Sequence, residues 1–266
     1  MKYDILDNLR HHLYVKYNNN TAKKYYHAVK SLFHGYDFNN EYQIHAEEIE
    51  RRMLRLRTKN DFSAAKRGLL ELKACFPALR IPDNDFFEAT AAHKRNYKKR
   101  TFEPLQFDTV KRKINAIRDK KLKLSYRLML ASGARVAEVA ALRPCDITIS
   151  NDNMQVQIID GKGGKDRTVK TLEDDYLRRE LPELLETTDE DKPVFYSTKH
   201  MKNKAAELGI ECHDLRRVFA QTYKQECKKT EGAFAANSRV MEALGHTKFR
   251  TTRRYLNRKI VFGKGD

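Results

Sequence analysis

The chain has no tryptophan, only four cysteines and six prolines in 266 residues, and no long apolar run. Each shortage removes a class of protein. No stretch reaches the roughly 18 consecutive apolar residues that a membrane helix needs. The opening Met1-Lys2-Tyr3-Asp4-Ile5-Leu6-Asp7 lacks the basic-then-apolar layout of a secretory signal. There is no lipidation signal and no basic helix with an aromatic, strongly apolar opposite face, so no membrane partner is expected. The expectation is a soluble, cytoplasmic chain. Cys75, Cys145, Cys212 and Cys227 stand far apart, without a C-x-x-C pair or a histidine at zinc-finger spacing. They read as reduced core thiols, with no metal site. Cys212 beside His213 lacks an identifiable base, which argues for packing rather than nucleophile chemistry. Neither an internal repeat nor a low-complexity segment is present.

Positive charge is in excess. Fifty-three Lys and Arg stand against 36 Asp and Glu, a net charge of +17. The excess is not confined to a tail: residues 1 to 103 carry 20 against 13 (+7), and residues 104 to 266 carry 33 against 23 (+10). A surplus in both halves points to a polyanionic partner, and nucleic acid leads.

Apolar spacing predicts a mainly α protein with a small antiparallel β-sheet (α+β). Ile5, Leu6, Leu9, Leu13 and then Ala28, Val29, Leu32, Phe33 recur at helical steps, and Gly35 closes the second run. Stretches from Ala46 to Leu56 and from Phe62 to Phe76 follow, ended by Pro77 and Pro82, which makes a four-helix unit. Within it, Lys23-Lys24-Tyr25-Tyr26-His27 interleaves cations with rings; packing suits the tyrosines and phosphate contact suits Lys23 and Lys24. The segment His93-Lys94-Arg95-Asn96-Tyr97-Lys98-Lys99-Arg100 holds five Lys/Arg in eight residues before Pro104. It reads equally as a solvated face and as a cationic tether crossing a phosphate backbone through Lys94, Arg95, Lys98, Lys99 and Arg100. The expected domains are therefore residues 1–92, a basic linker 93–104, and residues 105–266.

In that last part helical spacing returns at Val110, Ile114 and Ile117. A hairpin is predicted where Met154 to Ile159 and Arg167 to Thr171 flank Gly161-Lys162-Gly163-Gly164. Lys162, Lys165 and Arg167 cluster at this tip. The glycine spacing is not that of a nucleotide-binding loop; an ammonium carried to a backbone phosphate fits better, with solvated turn cations as the alternative for Lys165 and Arg167.

Three further segments carry candidate chemistry. In Ser132-Gly133-Ala134-Arg135-Val136-Ala137-Glu138, Glu138 lies three residues past Arg135 and can hold it, as a structural ion pair or as part of a site. His213 and Arg216 are one turn apart at a helix start, so they point the same way toward a single anion. In Leu244-Gly245-His246-Thr247-Lys248-Phe249-Arg250-Thr251-Thr252-Arg253-Arg254-Tyr255, Gly245 caps one helix, Thr251 or Thr252 begins the next, and Tyr255 lies among arginines. Alone, that tyrosine reads as a stacked ring.

In order, Arg135, Lys162, His213-x-x-Arg216, Gly245-His246 and Tyr255 nine residues on resemble the tyrosine recombinase (phage integrase) family of site-specific DNA recombinases. The resemblance covers about residues 105 to 258. The first hundred residues match that family's helical core-binding domain only in length, helicity and charge. Two departures stand out: Ser-Gly-Ala-Arg replaces the frequent Thr-Gly-Leu-Arg, and Val169-Lys170-Thr171 lacks the usual proline. Neither removes a reacting group.

The resemblance implies a core-binding domain joined to an integrase-type catalytic domain. It implies a DNA partner, cytoplasmic action on DNA, no metal or other cofactor, and a tetramer assembled on two duplexes, with any accessory protein undefined. Catalytic roles fall to Tyr255 as nucleophile, Arg135 and Arg216 as phosphate clamps, Lys162 and His213 as proton-transfer groups, and His246 as a phosphate ligand, with Glu138 in support. Two rivals share the fold, a type IB topoisomerase-like relaxing enzyme and a DNA-binding protein without activity. An RNA-binding module lacks its aromatic strand here.

Overall fold

A computed structural model describes residues 5–35, 45–94, 104–150, 153–161, 165–257 and 259–262. The chain divides into two compact units, Met1–Thr101 and Phe102–Asp266.

The first unit is helical: α1 (Ile5–Lys16), α2 (Asn19–Leu32), α3 (Ala46–Arg55), α4 (Lys59–Cys75) and α5 (Asn84–His93). Local chemistry starts these helices where the chain needs them. The Asn18 side chain accepts from the Thr21 amide at 3.0 Å, and Thr58 Oγ1 accepts from the Asp61 amide at 3.1 Å, each satisfying an orphan first-turn donor. The apolar stripes then meet: Leu9, Leu13, Val29, Ile49, Met53, Leu69, Leu72 and Phe87 are buried in one cluster. Gly68 sets the closest approach, because a Cβ there would stand 2.5 Å from Val29 Cγ2 and 2.9 Å from the Tyr25 carbonyl oxygen. The fifth helix corrects the four-helix expectation. Pro77 and Pro82 interrupt the chain, but only for a short 3-10 turn, after which α5 carries Phe87 and Thr90 into the core.

The second unit begins with β1 (Leu105–Gln106), α6 (Phe107–Asn115), α7 (Lys120–Ser132) and α8 (Val136–Val139). A sheet follows, made of β2 (Ile147–Ile149), β3 (Met154–Gly161) and β4 (Lys165–Lys170). The chain then runs through α9 (Asp175–Glu186), α10 (Thr198–Glu207), α11 (Cys212–Thr230), α12 (Ala233–Ala243) and α13 (Phe249–Leu256) to β5 (Ile260–Val261). The predicted hairpin is β3 and β4, antiparallel, with Val156 opposite Val169 and Ile158 opposite Arg167. Its partner β2 has only three residues, too short an alternation to read from sequence. Met154, Val156 and Ile158 point inward, so one sheet face closes the core built around Leu124, Leu128, Leu215 and Phe219 of α7 and α11. Ile260 and Val261 add in parallel to β1 of the same chain, and Phe262 sets its ring 5.5 Å from that of Phe107.

Cys75, Cys212 and Cys227 are free thiols, half-buried, whereas Cys145 is exposed in the turn before β2 rather than in the core. No described helix is long and apolar enough to cross a membrane.

Candidate active site

The site grows from the first turns of α11. His213 and Arg216 lie one turn apart there, and Arg216 is fully buried. Its guanidinium is fixed from two sides: Nη1 donates to the Gly133 carbonyl and Nη2 to the Leu244 carbonyl. Both acceptors come from chain ends that turn left-handed next door. Gly133 has φ +63° and Gly245 has φ +61°. At Gly133 a side chain is also barred by space, since a Cβ would meet Phe219 Cδ1 at 2.2 Å. Arg216 Nε is buried and has no hydrogen-bond partner among the described residues. Burial, and then the nearby charge of Arg135, lowers the Arg216 pKa to about 10, so the side chain remains a cation at neutral pH.

Tyr255 is half-buried near the end of α13, with its ring centroid 5.5 Å from the Arg216 guanidinium carbon, 5.3 Å from the His246 ring and 6.2 Å from the His213 ring. Gln221 of α11 donates to the Tyr255 carbonyl at 3.0 Å and so fastens this end of α13 to α11. Thr251 and Thr252 do not begin the helix as expected; it starts at Phe249. Thr252 is instead buried inside it, with Oγ1 3.0 Å from His246 Nδ1. His246 Nε2 lies 3.3 Å from Arg216 Nη2. A guanidinium only donates, so Nε2 accepts, and Nδ1 carries the proton toward Thr252. Burial, then Arg216, Arg135 and Arg167, push the His246 pKa down to about 4, which makes the ring neutral near pH 7. Burial followed by the cations Arg217, Arg216 and Arg135 lowers His213 as well.

The third part is a carboxylate shared by two arginines. Glu138 accepts from the Arg135 amide at 2.7 Å and from Arg135 Nη1 at 2.6 Å, the pairing that their spacing predicts. It also accepts from Arg167 Nη2 at 2.7 Å and Nη1 at 3.2 Å. Burial works to raise the Glu138 carboxyl, yet these hydrogen bonds outweigh it and hold its pKa near about 2. Arg167, expected among the DNA-facing cations of the hairpin tip, is thus turned inward, with only 10% of its side chain exposed. Two arginines therefore share one buried carboxylate, and Arg216 adds a further buried cation beside Tyr255.

Residues 104–260 match the family model described as the phage integrase family. The chain belongs to this family. Its fold is shared with a lambda integrase dimer bound to a COC′ core site, at 17% identity over 95% of this chain and 76% of that one, TM-score 0.66. The Tn1549 transposon integrase in complex with transposon right end DNA is similar at 10% identity over 95% and 94%, TM-score 0.59. The XerH site-specific recombinase bound to its difH substrate is similar at 19% identity over 89% and 74%, TM-score 0.57. No curated protein matches the chain in sequence.

Within this integrase-family chain, Arg135, Glu138, His213, Arg216, His246 and Tyr255 come together in one side-chain cluster. Lys162 lies outside the described residues, as do Arg95, Lys98, Lys99 and Arg100. Lys165 opens β4, where its backbone pairs with Gly161. Lys94 is spent within the first unit, where Nζ donates to the Leu54 carbonyl. Lys23 and Lys24 are exposed on α2, while Tyr25 and Tyr26 pack against the core. Lys24 lines a groove with His27, Ser31, Arg55 and Arg57. Spacing along the chain does not bring Arg55 and Arg57 near Lys24; the groove they share is a tertiary feature. Thr252 and Gln221 were missed for the same reason. Among the described residues no group of three or more His, Cys, Asp and Glu is placed to hold a metal ion.

Proposed function

We propose that this protein is a site-specific DNA recombinase that breaks and rejoins strands through a covalent 3′-phosphotyrosyl intermediate, with Tyr255 as nucleophile. The observation that carries this is the packing of the Tyr255 ring against Arg216, His246 and His213 in a pocket with more arginine than carboxylate. A merely stacked ring gains only cation–π attraction from such surroundings; a phenol that must attack a phosphodiester gains clamps and proton acceptors. In this reading the Tyr255 oxygen attacks phosphorus, the bond to the 5′ oxygen breaks, His213 takes the phenol proton and Lys162 protonates the leaving oxygen. Attack by another strand's 5′ hydroxyl reverses these steps and releases Tyr255.

Arg216 and Arg135 stabilise charge on the non-bridging oxygens. Arg216 suits this because Nε is left without a partner while its other nitrogens are fixed, so little reorganisation accompanies phosphate binding. His246 borders the same place, its ring oriented by Thr252. Duplex DNA is the partner, gripped in addition by exposed cations of the first unit, Lys23, Lys24, Arg55 and Arg57 among them. Assembly as a tetramer on two sites, action on DNA in the cytoplasm, and integration, excision or resolution of a DNA element complete the proposal.

The test is covalent trapping. Wild type and Tyr255→Phe are incubated in EDTA with a pool of nicked duplexes, and detergent-resistant adducts are sequenced. The expected result is adduct from wild type alone, at one recurring sequence, while both proteins bind DNA equally. Adducts at scattered sequences would indicate a relaxing enzyme; adduct from Tyr255→Phe, or none from either protein, would overturn the assignment.

A further inference from the structure

An arginine on the inward face of a hairpin, in line with Val169 and opposite Ile158, is out of place unless its donors are matched. This one is nine-tenths buried and all three guanidinium nitrogens donate: Nη1 and Nη2 to Glu138, and Nε to the Ala243 carbonyl at 3.1 Å. The Ala243 carbonyl belongs to the last turn of α12, which leads through Gly245 into His246. Glu138 belongs to α8, and it grips both the amide and the side chain of Arg135. Arg167 itself sits opposite Ile158 in the β3–β4 hairpin, the hairpin that carries Lys162 in sequence. One side chain therefore joins three parts of the chain, each of which delivers a group to the proposed chemistry.

Gly245 shows that this arrangement is built in. A Cβ at Gly245 would lie 3.0 Å from Arg167 Cδ, 3.1 Å from Nη1 and 3.2 Å from Nε. The absence of a side chain there makes room for the guanidinium. The left-handed turn at Gly245 and the inward turn of Arg167 thus form a single fitted contact.

We infer that Arg167 is a positioning residue for phosphoryl transfer: it holds Arg135 through Glu138, and holds β4 against the segment bearing His246. It does not act as a DNA contact. The inference rests on the recombinase reading above. A bidentate fork plus a third donor is a demand that only arginine meets; lysine keeps the charge but reaches one acceptor at a time.

The experiment uses the full chain with a nicked duplex carrying its trapped site, and compares wild type, Arg167→Lys, Arg167→Gln, Glu138→Gln and the Arg167→Gln/Glu138→Gln pair. For each protein three quantities are read: DNA affinity with its salt dependence, the single-turnover rate of adduct formation at saturating DNA, and the melting temperature. If Arg167 positions, affinity and salt slope stay within about twofold of wild type, while the rate on bound DNA falls by about 10- to 100-fold, as misplacement by up to about an ångström does. Arg167→Lys recovers little of that rate, although it melts within a few degrees of wild type. The double variant is no slower than the slower single one, because both remove the same support. The opposite pattern, weaker binding with a salt slope reduced by about one and an unchanged rate on bound DNA, would make Arg167 a phosphate contact and overturn the inference. Should Arg167→Gln fail to fold, the lysine variant decides alone: full activity from it refutes the need for the fork. If wild type forms no Tyr255-dependent adduct, the recombinase reading itself has failed, and the positioning role falls with it; that outcome is told apart by the wild-type lane.

Discussion

Each unit of this protein buries charge, and the two do so to different ends. In the first unit Glu71 of α4 is 3% exposed and is surrounded by donors from α1 and its own helix: Tyr17 at 2.6 Å, Lys16 at 2.8 Å, His12 at 2.9 Å and Arg67 at 3.3 Å. Burial works against this carboxylate, but Lys16, Tyr17 and His12 outweigh it and hold its pKa near about 2. The cations around it reach solvent, so the cluster is self-contained and staples α1 to α4. In the second unit Arg135 and Arg167 share one buried carboxylate, and beside them the fully buried Arg216 has only carbonyls and a histidine as partners and keeps a donor, Nε, unmatched among the described residues. A fold seeking stability alone would not leave a buried guanidinium so poorly matched. What the difference teaches is that electrostatic closure marks a structural cluster, whereas an uncompensated surplus marks a place where an anion is to be received.

The largest expected effect tests the surplus. Arg216→Lys keeps one charge but cannot hold both carbonyls and present a further donor. Its rate of adduct formation on bound DNA should fall by about 10²- to 10⁵-fold. A loss below tenfold in single-turnover cleavage would show that the surplus around Tyr255 is not used in the chemistry.

Next in size is its counterpart in the first unit. Glu71→Gln removes the charge at the centre of a closed cluster and should destabilise by about 1 to 3 kcal/mol, read as faster hydrogen exchange in α1 and α4. Cleavage of bound DNA should stay within about twofold. A drop in that rate equal to the one from Arg216→Lys would abolish the distinction drawn between the clusters.

The smallest effect is one of pH, with opposite cluster chemistry separating the units. His246 has an ordinary pKa of 6.5 and a folded value near about 4, so the unfolded chain binds its proton first on acidification. Its contribution is complete above pH 6.5 and is lost as pH falls toward 4, by at most about 3 kcal/mol. Glu71 and Glu138, lowered from 4.5 to about 2, contribute fully above 4.5 and lose that contribution only below it. Hydrogen-exchange protection factors followed between pH 6.5 and 4.5 should therefore fall in α11 to α13 before they fall in α1 and α4. The reverse order would mean that His246 is not buried as a neutral ring.

Much of this was legible in advance, for physical reasons that differ by element. The stripes of α2, α4 and α6 and the alternation of β3 and β4 are local periodicities, and the i,i+3 pairs Arg135 with Glu138 and His213 with Arg216 sit on single turns, so spacing alone places them. The fifth helix was hidden because Pro82 reads as a stop, although Asp83 and Asn84 restart the helix at once. The three-residue β2 was too brief to carry a pattern, and Cys145 was assigned to the core because residue type says nothing of a surface turn.

The sequence by itself determined the helical and hairpin elements, the basic balance of both halves, and the order of the groups that carry the family resemblance. Tertiary structure alone decided what those groups touch. Alternation puts Arg167 on the inward face with Val169, but it becomes a matched fork only because α8 and the end of α12 arrive at β4 from distant parts of the chain. Thr252 becomes a partner of His246, and Gln221 a tether for Tyr255, by the same route. Hydrogen bonds and desolvation act over a few ångströms in space, whereas spacing along a chain reports only neighbours on one helix or strand, so contacts between elements first become visible when the core has brought them together.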